Sequence, residues 1–177
     1  MMKILKVALT VLGAGLLGWS AFGVFGIQAL FVDLEAEEEI PEAVSSLISG
    51  SENGAVESNS QVLGKGSFHR GDGTYTISGN VFLNKVEGKI NLTFTDLEVS
   101  NGPDLFVYAV KTDSTENKQL KETVSNGDFI NLGSLKGNIG DQNYLLEDGF
   151  DPKEYQVISI WCRRFGRNFG SVVLDGV

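Results

Sequence analysis

Short segments of alternating polar and apolar residues fill the C-terminal two-thirds of the chain, and this period of two constrains the fold most strongly. In "KINLTFTDLEV" (89–99) it places Ile90, Leu92, Phe94 and Leu97 near one face, as in a strand with one buried side. Turns rich in glycine, asparagine and aspartate separate the segments, and no convincing helical period appears after residue 61. The pattern predicts an all-β head over residues 61–177, a single antiparallel β-sandwich or barrel.

The start of the chain has the character of a membrane anchor. Lys3 and Lys6 precede an uncharged run of 26 residues from Val7 to Val32, and about 20 apolar residues suffice to cross a bilayer as a helix. A cleaved signal peptide is the alternative, but its apolar region is usually only about 7–15 residues long and ends in small residues. We therefore expect one uncleaved transmembrane helix within residues 1–33. Because lysines stay on the cytoplasmic side, the N-terminus is expected in the cytoplasm and the head outside, in a periplasmic or extracellular position.

Acidic residues are concentrated between the anchor and the head. Eight of them and no Lys or Arg lie between Asp33 and Gln61, in a chain of net charge −9. Serine, glycine and asparagine dominate the later part, so we expect residues 34–60 to form a flexible acidic linker, with a short helix allowed at its start. The head itself has 12 basic and 15 acidic residues without a basic stripe, which argues against nucleic acid as a partner.

Cys162 is the only cysteine, so an internal disulfide is excluded. In an extended "VISIWCRRF", it would share one strand face with Ile158, Ile160 and Arg164. Two interpretations stay open. Cys162 is either a small hydrophobic residue of the core, or a redox thiol or ligand whose pKa the neighbouring arginines lower.

His69 is the only histidine and the one residue that could assist Cys162 in binding a cofactor. The two could supply axial ligands to haem or part of a copper site, so the prosthetic group is left open between these. One cysteine and one histidine do not define a metal site by themselves, and none is predicted. The only methionines, Met1 and Met2, are too far from the head to complete a blue-copper centre.

Four segments of the head, in order, resemble motifs of the DM-thirteen domain, which occurs together with DOMON domains. They are "GSFH" with "GDGTYTISG", then "NGPDLFVY", "NLGSLKGNIGDQNYLL" and "SIWCRRFGRNFG". Each segment alone is weakly specific, whereas four in the right order are strongly so. The resemblance implies an all-β extracytoplasmic module with a proposed redox role around the cysteine.

We therefore expect an accessory redox or electron-transfer module in which Cys162 is the working residue and His69 its helper. The expected partners are membrane lipid, through the N-terminal helix, and a redox partner protein. Whether the protein is an enzyme is left open. The alternative is a non-catalytic binding or adhesion module in which Cys162 is buried and structural.

Overall fold

Residues 32–50 and 60–177 are described in the computed structural model, and most of them lie in β-strands. Two short helices, α1 (Glu42–Ser49) and α2 (Asn117–Ser125), accompany the strands. The strands in chain order are β1 (Glu35–Glu37), β2 (Ser60–Ser67), β3 (His69–Arg70), β4 (Ile77–Val86), β5 (Lys89–Val99), β6 (Leu105–Val110), β7 (Phe129–Ser134), β8 (Ile139–Leu145), β9 (Val157–Cys162) and β10 (Arg167–Val173).

The strands form two five-stranded sheets that pack face to face. Sheet A has the order β1-β8-β5-β4-β2, and sheet B has the order β3-β10-β9-β6-β7. All neighbouring strands run antiparallel except β1, which pairs with β8 in parallel. The head predicted as an antiparallel β-sandwich or barrel is thereby confirmed as all-β, and its form is a sandwich.

The core between the sheets follows the alternation of the sequence. Leu92, Phe94 and Leu97 of β5 are all but fully buried, and they meet Ile158 and Ile160 of β9 from the other sheet. A register shift between Phe94 and Leu97 keeps both side chains on the inner face. Each such side chain contributes about 1.5–3 kcal/mol when it is removed from water, so this layer is the main source of stability.

Helix α2 lies on the outer face of sheet B, where the sequence predicts no helix. Its one fully buried side chain, Leu120, packs with Tyr108, Val157 and Trp161 on that face. A nine-residue helix with a single buried position gives almost no periodic signal. Its place is set by contacts with the sheet rather than by its own pattern.

Two elements occur within residues 34–60, which the sequence assigns to a flexible linker. β1 joins the edge of sheet A opposite Ile139–Asp141, and Val44 of α1 is fully buried. The first part of this segment therefore contains a paired strand as well as a helix, since β8 offers backbone partners that composition does not reveal. The short helix allowed at its start is present as α1, whereas residues 51–59 lie outside the described residues.

The expected transmembrane helix, residues 1–33, lies almost entirely outside the described residues. Within residues 32–50 and 60–177, no helix is long and apolar enough to span a bilayer. The membrane anchor and the orientation of the chain therefore stay predictions.

Candidate functional site

Cys162 is the last residue of β9, a central strand of sheet B in which all six residues are buried. It is paired with Leu105 of β6 on one side and with Arg167 of β10 on the other. Its side chain is fully buried and belongs to the core between the sheets, together with Ile158 and Ile160. The inward direction of Cys162 therefore agrees with the alternation along the strand.

The strand ends at Cys162, contrary to the extended "VISIWCRRF" assumed from sequence. Residues 163–166 form the turn between β9 and β10, so Arg164 does not continue the inner strand face. The turn instead directs backbone towards the thiol, since the amides of Arg164 and Phe165 both donate hydrogen bonds to Cys162. The alternation fails here because a tight turn changes the direction of every following side chain.

The pKa of Cys162 is raised above its usual value. Burial is the largest cause, and it outweighs the opposing effect of the two turn amides and of the Arg164 charge. The Asp104 carboxylate acts in the same direction as burial. The thiol is thus protonated at neutral pH, and the arginines do not produce the low pKa that the sequence suggested.

Arg163 interacts with Asp104 and Phe106 rather than with the Cys162 sulfur. Its guanidinium contacts the Asp104 carboxylate, with Nε 3.2 Å from Oδ2, and lies over the ring of Phe106 at 4.3 Å from the centroid. Its amide also donates to the carbonyl of Asp104 at 3.0 Å. These contacts attach the 163–166 turn to the start of β6.

His69 is exposed and lies on the other face of sheet B from Cys162. It is opposite Ser171 in β10, which is opposite Ser159 in β9. Ser159 is three residues from Cys162, so His69 is displaced by about 10 Å along the strand and about 10 Å across the sheet. The structure does not bring the two predicted site residues together.

This separation decides which cofactors the chain can hold. Haem or copper bound jointly by Cys162 and His69 would need both side chains on one side of the sheet, within coordination distance. In the described part of the chain, no group of three or more His, Cys, Asp or Glu side chains is suited to a metal ion. The residues therefore do not fit a Cys–His cofactor centre.

Three loops meet at the end of the sandwich that carries Cys162. They are 100–104 between β5 and β6, 135–138 between β7 and β8, and the 163–166 turn. We call this region, together with the start of β1, the cysteine end. A cleft of about 230 Å³ opens here, and its walls include Pro103, Asp104, Leu105, Leu135 and Leu34.

The cleft brings together segments that the sequence shows as separate motifs. "NGPDLFVY" supplies one wall, "NLGSLKGN" supplies another, and Asp104 connects the cleft to the turn of "SIWCRRF".

The family model for electron transfer DM13 matches residues 67–174. The chain belongs to the DM13 family. The resemblance found from the four motifs is thereby confirmed, and the family's name suggests a role in electron transfer. Neither the curated proteins nor the solved structures include a match to this chain.

The DM13 match begins at residue 67, so β1, α1 and nearly all of β2 lie before it. The residues just before β1, Val32 and Leu34, nevertheless border the cleft of the DM13 head. Asp33 accepts hydrogen bonds from Asn101 and Asn138 at 2.8 and 2.9 Å, and the amide of Leu34 donates to Asn138 Oδ1 at 2.6 Å. Residues from outside the matched region therefore complete one wall of the candidate site.

Asn168 organises the outer side of the DM13 head, and sequence reasoning missed it. Its side chain is fully buried, accepts from Ser159 Oγ at 3.0 Å and donates to Asn117 Oδ1 at 2.8 Å. Its backbone amide donates a hydrogen bond to the Asp72 carboxylate, which also accepts one from the Lys121 ammonium of α2. An asparagine between arginine and phenylalanine in "GRNFG" is the only signal that could have indicated it.

Proposed function

We propose that the chain is a membrane-anchored, extracytoplasmic DM13 module for electron transfer, with Cys162 as the group that is oxidised and reduced. The family match supports the electron-transfer role. The apolar run that ends at Val32 and the lysines before it support the anchor and its orientation. Cys162 is the single thiol of the chain, and it lies where three of the family motifs meet.

The observation that carries this proposal is the pair of turn amides directed at the sulfur. Hydrogen bonds donated to a thiolate stabilise the charged form, so they favour ionisation once burial is relieved. In the resting protein burial dominates, and the thiol is protonated and shielded. A partner that relieves this burial would let the two amides stabilise the thiolate.

A single cysteine must exchange electrons with another molecule, and we propose a disulfide-bearing partner protein. The Cys162 thiolate attacks one sulfur of the partner disulfide, forms a mixed disulfide and releases the other sulfur as a thiolate. The proton lost by Cys162 goes to that released sulfur. The partner disulfide is reduced by this step, and Cys162 is oxidised to the mixed disulfide.

A second candidate function is a binding module in which Cys162 is only structural. The observation that favours it is the full burial of the thiol among Ile158, Ile160 and Leu105, with its pKa raised. A buried, protonated thiol is chemically inert. The two candidates therefore differ in whether the native protein ever presents the sulfur.

Thiol titration of the full chain in detergent micelles separates these candidates. We expect Cys162 to form a mixed disulfide with an aromatic disulfide reagent in the native protein, more slowly than a freely exposed thiol. Leu145→Cys in a Cys162→Ser background supplies that reference, because Leu145 is 60 % exposed. A thiol that stays silent until denaturant is added would refute the redox role and favour the binding module.

The anchor is tested separately by the mass of the mature protein. An intact N-terminus in the membrane fraction is expected. A mature chain that starts near residue 30 would show cleavage and contradict the anchor, whatever the thiol does.

A further inference from the structure

Three exposed apolar side chains are found together at the cysteine end. Val32, Leu34 and Phe165 are 54 %, 55 % and 58 % exposed. Val32 and Leu34 line the cleft beside Asp104, and Asp104 holds Arg163, two residues before Phe165. Exposed apolar side chains that collect on one side of a small domain indicate a surface that is covered in use.

The apolar run is connected to this surface by only two residues. The run ends at Val32, and the next two residues are already bound to the sandwich. Asp33 is held by Asn101 and Asn138, and the Leu34 amide is held by Asn138. Two residues reach at most about 7 Å, so the end of the run must lie next to the cysteine end.

Charge divides the two ends of the sandwich. Arg163, Arg164 and Arg167 are exposed in or beside the turn, and residues 163–167 include no acid. Acidic groups at this end include Asp33, Asp72 and Asp104; Asp72 pairs with Lys121, and Asp104 pairs with Arg163. The loops of the opposite end, 126–128 and 146–156, carry five acidic residues and one lysine. An anionic surface would therefore attract the cysteine end and repel the other.

We propose that the cysteine end rests on the outer surface of the bilayer, with Phe165 in the headgroup layer and the turn arginines beside lipid phosphates. The occupant of this surface is a bilayer that contains anionic phospholipid. This proposal rests on the membrane anchor of the proposed function but not on its redox chemistry. In this arrangement the head does not move freely on a flexible linker. It keeps one orientation, in which the Cys162 region faces the membrane.

The test uses the full chain reconstituted in vesicles of phosphatidylcholine and phosphatidylglycerol. In a Cys162→Ser background, a fluorophore is attached at Phe165→Cys, at Arg167→Cys as a second probe of the turn, or at Leu145→Cys. Leu145 is the matched control, because it is exposed and ends β8 on the opposite side of the sandwich. A spin-labelled lipid headgroup quenches only fluorophores that lie at the membrane surface.

We expect strong quenching of fluorophores at residues 165 and 167 and little quenching of a fluorophore at residue 145. Replacing phosphatidylglycerol by phosphatidylcholine should reduce quenching at both turn positions, since the arginines then lose their anionic partners. Equal quenching at all three positions, or none at the turn in chains that float with the vesicles, would overturn the proposal. Chains that do not float would refute the anchor as well, so the two failures are distinguishable.

Discussion

Gly140 offers the sharpest test of how β1 is held on the DM13 head. Its backbone has a φ of +98°, and a β-carbon built there would overlap the carbonyl oxygen of Ala36 in β1. Gly140→Ala should therefore add backbone strain and push β1 from the edge of β8. Gly149 is a matched control, because its φ is +93° and a β-carbon there would meet nothing within 4 Å.

The expected magnitudes follow from these two effects. A non-glycine residue in the left-handed region costs about 1–2 kcal/mol, and this applies to both variants. Gly140→Ala should also break the bonds from the Glu38 amide to Asp141 at 3.0 Å and from the Ile139 amide to Leu34 at 3.2 Å. At about 1 kcal/mol each, the free energy of unfolding should fall by about 3–4 kcal/mol for Gly140→Ala and by about 1–2 kcal/mol for Gly149→Ala.

Denaturant titration of the detergent-solubilised chain measures these free energies, and hydrogen exchange locates the change. Amides of β1 should be protected in the wild type and in Gly149→Ala but should exchange rapidly in Gly140→Ala. Equal stability of the two variants, with β1 still protected in both, would refute the close approach of Ala36 to Gly140.

Three other perturbations test the structure. Glu38 has a pKa below its ordinary 4.5 because hydrogen bonds from Lys136 and the Asn143 amide outweigh the opposing, larger single effect of burial. Its stabilisation is thus present above pH 4.5 and lost as pH falls below it, so acid should lower the melting temperature less in Glu38→Gln than in the wild type. Asn168→Ala leaves the buried Ser159 hydroxyl without its acceptor and should cost about 2–3 kcal/mol by denaturant titration, whereas a comparable loss in the exposed Asn126→Ala would contradict this role. Burial raises the pKa of Cys162 above 9.0, so its reaction rate with a thiol reagent should still rise beyond pH 9.0; a plateau below that pH would argue against a shielded thiol.

The strands of the head were predictable because each carries its own evidence. Leu92 and Phe94 alternate with polar residues whatever strand lies beside them, and the same period of two puts Ile158, Ile160 and Cys162 on one face of β9. Helix α2 was not predictable, since Leu120 is its only fully buried side chain and its partners are distant in sequence. β1 was hidden for a related reason, because glutamates that suit a linker also suit a short edge strand.

In the candidate site, too, some features could be predicted from the sequence and others could not. The sequence by itself determined an all-β head, a lone thiol that points inward, and an apolar run next to an acidic segment, because these depend on residue type and local period. Only the tertiary structure decided that His69 lies on the opposite face from Cys162, that the 163–166 turn directs two amides to the sulfur, and that Leu34 and Asp104 border one cleft. These relations depend on which strands pair and in which register, and a local pattern carries no information about either.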